Sequence, residues 1–373
     1  MTPLRLSLAT LSGTVLVVSL VSHAHSVGAT APTHRVGSIQ LSTPMLEPRS
    51  DQSATLLPDG TVLIAGGMRR NQDFYRSAEI FDPVKNQFHC VGDMSIARVG
   101  HAAVLMPSGK VLILGGWIGH AVTGSVEQYD PATQKFVVIG KMTKKRAHPS
   151  VTLLGNGDLL IAGGNDSDGP SGMASAELYR ADTQTFETLP SMHEARLAHS
   201  ATLLNDGRVL LAGGRGATVT AAAEVYDPQT KKFTVTGDLN IARYKHTAAL
   251  LPDGRVLLAG GSDARDWNGT TNTAEIYDPH TQKFTLTSSL TEARFKLPDE
   301  AAVLSSGLIL VAGGGKHAEL YDEKTGKFSL ADGDFSDAWH YMSETRLRDG
   351  RVLLAGGYAN NDRATAQAWM YVP

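Results

Sequence analysis

A Gly-Gly pair recurs seven times along the chain, and no other feature of the sequence restricts its fold as much. The second glycine of each pair is Gly67, Gly116, Gly164, Gly214, Gly261, Gly314 and Gly357. The pairs are 43–53 residues apart, the spacing of four-stranded propeller blades. Seven residues before each of these glycines stands another: Gly60, Gly109, Gly157, Gly207, Gly254, Gly307 and Gly350. These lie in Pro-Asp-Gly, Asn-Asp-Gly or similar triplets, which suit tight hairpin turns. A length of 373 residues would otherwise suggest two or three domains. A repeat that cannot bury its own apolar face predicts instead one closed array.

One repeat shows the expected blade. Residues 200–204 form an apolar-rich strand and Asn205-Asp206-Gly207 a turn. Residues 208–214 form a second strand, apolar enough to be buried on both faces. After a variable loop come Ala223-Glu-Val-Tyr-Asp227, stopped by Pro228, and a fourth strand at 232–235. The third strand recurs at Glu79, Glu127, Glu177, Glu224, Glu275 and Glu319, and Gln367-Ala-Trp369 reads as its seventh copy. No fourth strand follows that copy. In five repeats a Phe stands ten residues before an Arg: Phe88/Arg98, Phe136/Arg146, Phe186/Arg196, Phe233/Arg243 and Phe284/Arg294. Ile39/Arg49 has the same separation, so Ser38 to Leu41 reads as an orphan fourth strand that completes the last blade. The expectation is an all-β, seven-bladed propeller of four-stranded antiparallel blades over residues 27–373, closed by its N-terminal strand.

The apolar strand ending in Gly-Gly, the Glu-x-Tyr-Asp-Pro strand and the aromatic opening the fourth strand resemble kelch repeats. The resemblance covers about residues 36–373. Kelch repeats usually carry Trp where this chain has Phe. The resemblance implies the exported, galactose-oxidase-like branch.

Residues 1–26 read as a signal peptide. Arg5 precedes an apolar stretch from about Leu6 to Val21, followed by small-residue cleavage candidates around Ala24. The mature protein is then secreted or periplasmic, free of membrane, and expected to be a monomer. Cys90 is the only cysteine and reads as a packed apolar side chain. A formal charge of −3, and no basic run longer than Lys144-Lys145-Arg146, argue against nucleic acid as a partner. That run reads as a solvated connection.

Strand direction puts the loops after the second strands, and the crossings between blades, on one face around the channel mouth. Variable loops on a rigid scaffold favour binding. Arg49, Arg98, Arg146, Arg196, Arg243 and Arg294 recur in nearly every blade, as do the glutamates, so both read as scaffold. His101, His199 and His246 head three first strands, with His148 displaced by one. They are spread around the ring, so no metal is expected. The Asp166–Asp168 loop lacks the closing glutamate of an EF-hand, which leaves calcium there open.

The breaks in the repeat are more informative. Two residues are inserted before blade six, giving residues 295–300, and Trp339-His340-Tyr341 replaces the Arg-containing crossing before blade seven. Lys296, Glu300, His340 and Tyr341 are therefore the candidate ligand-binding residues. Arg69, Trp117 and Trp267 join them from the loops, beside Asn360 and Asn361. Exposed aromatics beside amides and acids suit a sugar. The reading is a binding module for a glycan or protein that needs no cofactor. The alternative is a carbohydrate-active enzyme: acid–base chemistry of the mutarotase or epimerase kind, or copper oxidation as in galactose oxidase. The copper enzyme joins a tyrosine to a cysteine, whereas Cys90 lies in an outer strand away from the mouth. No catalytic residue is assigned.

Overall fold

The computed structural model describes residues 37–167, 169, 171–359 and 363–373. The signal-peptide expectation, Asp168 of the calcium expectation, and Asn360 and Asn361 lie outside these residues.

The seven Gly-Gly repeats form seven four-stranded antiparallel sheets. Blade 4 is representative. It runs from the innermost strand Ser200–Leu203 through Val209–Ala212 and Ala223–Asp227 to the outermost Lys232–Val235. The second strand of each blade is buried throughout, as its unbroken apolar run requires. Aromatic pairs join third to fourth strands: Tyr226 lies against Phe233 with ring centroids 5.0 Å apart, and Tyr277 against Phe284 at 4.8 Å. Side chains of adjacent blades interdigitate in seven apolar clusters, one at each blade interface, including the one between blades 7 and 1.

Ring closure follows the sequence expectation. The strand Ser38–Leu41 pairs with Ala368–Val372, Ile39 opposite Tyr371, and becomes the outermost strand of blade 7. One detail differs. Trp369 stands opposite Leu354 as Glu79 stands opposite Ile64. Trp369 therefore occupies the glutamate position and Tyr371 the tyrosine position, and Gln367 lies outside the strand. Period-2 alternation explains the misreading, because a shift of two residues keeps the same face.

The Gly-Gly pairs are junctions between blades. The backbone N–H of each second glycine donates to the carbonyl of the residue that opens the next blade. Gly67 reaches Arg98, Gly314 reaches Trp339, and Gly357 reaches Arg49 to complete the circle, at 3.0, 2.8 and 2.8 Å. Gly66 has φ +62, and a β-carbon there would sit 2.7 Å from the Arg98 carbonyl, so no larger residue fits.

Six arginines form spokes beneath the mouth, each 0–1% exposed. Each pairs with the third-strand glutamate of its own blade at 2.5–2.9 Å. Arg196 also donates to the carbonyls of Gly213 and Ala222 at 2.6 and 2.7 Å. Its partner Glu224 accepts the His193 N–H at the start of the crossing. Arg146 is thus a buried spoke, which corrects the reading of Lys144-Lys145-Arg146 as solvated throughout. Cys90 is also corrected: it is exposed, because its strand is the outer edge of blade 1.

Candidate functional site: the mouth of the central channel

Two residues after each spoke the chain turns through the left-handed region. Asp51, His148, Ala198, Lys245, Lys296 and Tyr341 have φ between 46 and 55, and Gly100 has φ 61. Left-handed backbone is uncommon for side chains of this size and persists where the surroundings over-determine it. The fixation is visible. Asp51 N–H donates to the Tyr341 carbonyl, Tyr341 to Lys296, Lys245 to Ala198 and His148 to Gly100, at 2.7–3.0 Å. These seven residues form a crown around the mouth. All but Lys296 line a cavity of about 570 Å³ inside the channel.

The crown side chains converge. His148 Nε2 lies 3.1 Å from an Asp51 carboxylate oxygen. The His148 ring stacks on Tyr341 across the mouth, centroids 6.1 Å apart and 11° from parallel. Enclosure opposes charge on His148, but Asp51 and then Asp299 outweigh it and hold its pKa above the usual imidazole value. Enclosure first, and then the Asp51 charge, raise the Tyr341 hydroxyl well above the ordinary phenol value.

Blade 6 departs furthest from the repeat. Its innermost strand is reduced to Ala302–Val303. The residues before it lie instead along blade 5, where Ala248 exchanges backbone hydrogen bonds with Asp299 and Ala301. The insertion thus places Asp299 and Glu300 on the channel wall. Both side chains are exposed to the channel, and protein surrounds the channel. This enclosure pushes the Asp299 carboxyl up to about 6, with His148 opposing and Asp51 assisting the shift. Glu300 moves in the same direction for the same reason. On the adjacent inner strand of blade 7, Glu344 accepts the Ala302 N–H at 2.7 Å. Burial pushes Glu344 up to about 8.

The sequence-predicted residues divide into three groups. Lys296, His340, Tyr341 and Trp267 come together. Lys296 Nζ lies 4.0 Å from the Trp267 ring centroid and 5.7 Å from that of Tyr341, and donates to the Tyr358 hydroxyl at 2.6 Å. His340 packs edge-on to Trp267 at 4.7 Å, and burial lowers its pKa to about 4. Glu300 lies deeper, on the channel wall. Arg69 and Trp117 do not join the group. Each belongs to a small hairpin of its own blade, Met68–Arg70 with Asp73–Phe74 and Trp117–Ile118 with Ala121–Val122. Arg69 is half-exposed and pairs with Asp73, and neither residue lines the channel.

The repeated histidines belong to the scaffold. His101, His199 and His246 reach the serine that opens the preceding blade, Ser53, Ser150 and Ser200, at 2.9, 2.9 and 3.0 Å. Burial lowers His101 and His199 to about 3, so both are neutral. Sequence reasoning missed Asp51, Lys245, Asp299 and Glu344, and did not select His148. For Asp51, His148 and Lys245 the available signal was position, two residues past a spoke; for Asp299 it was the insertion before blade 6.

A kelch motif matches residues 52–95, 97–143 and 243–291, which coincide with blades 1, 2 and 5; the last two matches include the spokes Arg98 and Arg243. The chain is a seven-bladed propeller that carries kelch motifs. No curated protein matches it in sequence. Among solved structures, a copper-bound fungal alcohol oxidase of the AA5 family is similar at TM-score 0.72 and 15% identity. The match covers 91% of this chain and 76% of that one. At this identity the likeness concerns the propeller fold alone. Cys90 is exposed on an outer strand opposite Glu79, and among the described residues no three His, Cys, Asp or Glu side chains converge on a metal position.

Proposed function

We propose that this propeller is a binding module whose channel mouth takes a small, hydroxyl-rich ligand of the sugar class. One observation carries the reading. A single left-handed backbone position, repeated seven times, presents Asp51, Gly100, His148, Ala198, Lys245 and Tyr341 around one cavity of about 570 Å³, Lys296 alone lying off its lining. That volume lies in the range of small-molecule sites, roughly 300–1,000 Å³. The rim combines an acceptor (Asp51), a donor (Lys245) and two groups able to do both (His148 and Tyr341), which suits hydroxyl groups. Trp267, 42% exposed beside the crown, offers a ring face for the apolar side of a sugar. The cavity is concave and polar, which favours a small molecule over a protein surface. A glycan array followed by calorimetric titration tests the reading: mono- or disaccharides bind the parent, and His148→Ala weakens them.

A second reading, acid–base catalysis on the same ligand class, is favoured by the pairing of His148 with Asp51 beside an Asp299 carboxyl held near 6. Such a set offers an acid and a base near neutral pH. Turnover of the bound sugar, followed by polarimetry, separates catalyst from module. Export of the mature protein is part of the proposal and rests on the composition of residues 1–26. The mass of the protein recovered outside the cytoplasm tests it.

A further inference from the structure

We propose that Lys245 is a nucleophilic amine that captures a carbonyl compound at the channel mouth as an imine. The inference rests on the mouth being where a small ligand binds, and adds a chemical class: short hydroxyaldehydes and the open-chain form of reducing sugars.

Three observations converge on this side chain. Lys245 lines the cavity, and its left-handed backbone, φ 55, fixes its direction. Its ammonium is walled by aromatic faces, 4.6 Å from the Tyr244 centroid and 5.7 Å from that of Phe295. A second cation, the Arg215 guanidinium, lies 5.7 Å from the same Tyr244 ring. A lysine enclosed in this way and next to another cation is the arrangement that frees an amine for attack. Enclosure lowers the Lys245 pKa, and the partly opposing Asp266 does not restore it.

Asp266 supplies the rest. Its carboxylate lies 3.0 Å from Lys245 Nζ, on the short turn Asp266–Gly269 that also carries Trp267. In the step inferred, the Lys245 ammonium passes a proton to Asp266 and its lone pair adds to the carbonyl carbon. In the adduct one proton passes from nitrogen to the carbonyl oxygen, giving a neutral carbinolamine. Asp266 returns its proton to the hydroxyl, which leaves as water, and the nitrogen lone pair closes a protonated C=N bond that keeps the last N–H. Nothing is oxidised or reduced. Lys296 is the poorer candidate, because it is 6% exposed and lies under Trp267.

The test is reductive trapping. The protein is incubated at pH 7 with glycolaldehyde and cyanoborohydride, and peptides are mapped by mass. The expected result is one adduct on Lys245, in about tenfold excess over exposed lysines such as Lys135 and Lys141. Lys245→Arg keeps a cation beside Asp266 and should abolish the adduct while leaving the fold intact. Label spread evenly over surface lysines with Lys245 unmodified overturns the inference. A parallel sugar titration separates the two proposals. Sugar binding without a Lys245 adduct removes only the imine. A Lys245 adduct in a protein that binds no sugar upholds the amine and removes the sugar reading.

Discussion

Two positions in each crossing, two residues apart, behave in opposite ways around the ring. The spoke position keeps its chemistry: Arg in six blades, each buried against a glutamate. The crown position keeps its backbone and changes its chemistry at almost every blade. A residue that folding requires repeats because every blade poses the same problem. A residue that folding holds in place but does not specify is open to another use.

Blade 7 sharpens the comparison from within. Its spoke is Trp339 and its glutamate position is Trp369. The two rings lie 6.0 Å apart, and Trp339 Nε1 donates to the Phe335 carbonyl at 2.8 Å. An aromatic pair thus replaces an ion pair at the same site, and both members change together. Replacing a buried ion pair as a unit by apolar groups is often neutral, whereas removing one partner strands a buried charge.

The largest expected effect is therefore on a spoke. Arg196→Ala leaves Glu224 buried without its cation and should cost about 3–5 kcal/mol in chemical denaturation. A loss under about 1 kcal/mol would place the spokes among exposed, screened pairs.

Exchange within blade 7 comes next. Trp339→Arg buries a guanidinium against Trp369 and should destabilise strongly. Adding Trp369→Glu should recover part of the loss, with a coupling of about 1–3 kcal/mol in a double-mutant cycle. Additive losses would show that blade 7 cannot accept a spoke and that the two tryptophans are not its substitute.

A smaller effect concerns the channel wall. The folded pKa of Glu344, about 8, exceeds its ordinary value of 4.5. Between these pH values the unfolded chain releases the proton and the folded chain keeps it. Stability therefore falls as pH rises through this window. Glu344→Gln can still accept the Ala302 N–H and removes the titration. It should be more stable than the parent at pH 8, with the gap closing toward pH 5. Equal melting temperatures across that range would mean that water in the channel solvates the carboxylate.

The sequence carried the scaffold clearly because its features recur at fixed offsets. Gly-Gly pairs, spokes, glutamates and the Ile39/Arg49 match were sufficient to count blades and place the closing strand. The misplaced copy, Gln367 for Trp369, arose where the pattern itself was exchanged for an aromatic pair. The crown was mostly illegible for a physical reason. Its common property is a positive φ, and Asp51, His148, Lys245 and Tyr341 share no side-chain chemistry by which to recognise it. Breaks in the repeat led to Lys296, Glu300, His340 and Tyr341 but passed over Asp299, the neighbour of Glu300 at the same insertion. Arg69 and Trp117 were drawn in by residue type, which does not report that their hairpins leave them off the channel lining.

The division between spoke and crown is tested most directly by His148→Ala, measured for both stability and ligand affinity against the sugar an array identifies. The variant removes a crown side chain and touches no spoke. The account predicts a denaturation midpoint close to that of the parent and an affinity lower by at least about tenfold, or 1.4 kcal/mol. A variant that binds as the parent does but unfolds more readily would contradict it, making the crown a further layer of scaffold.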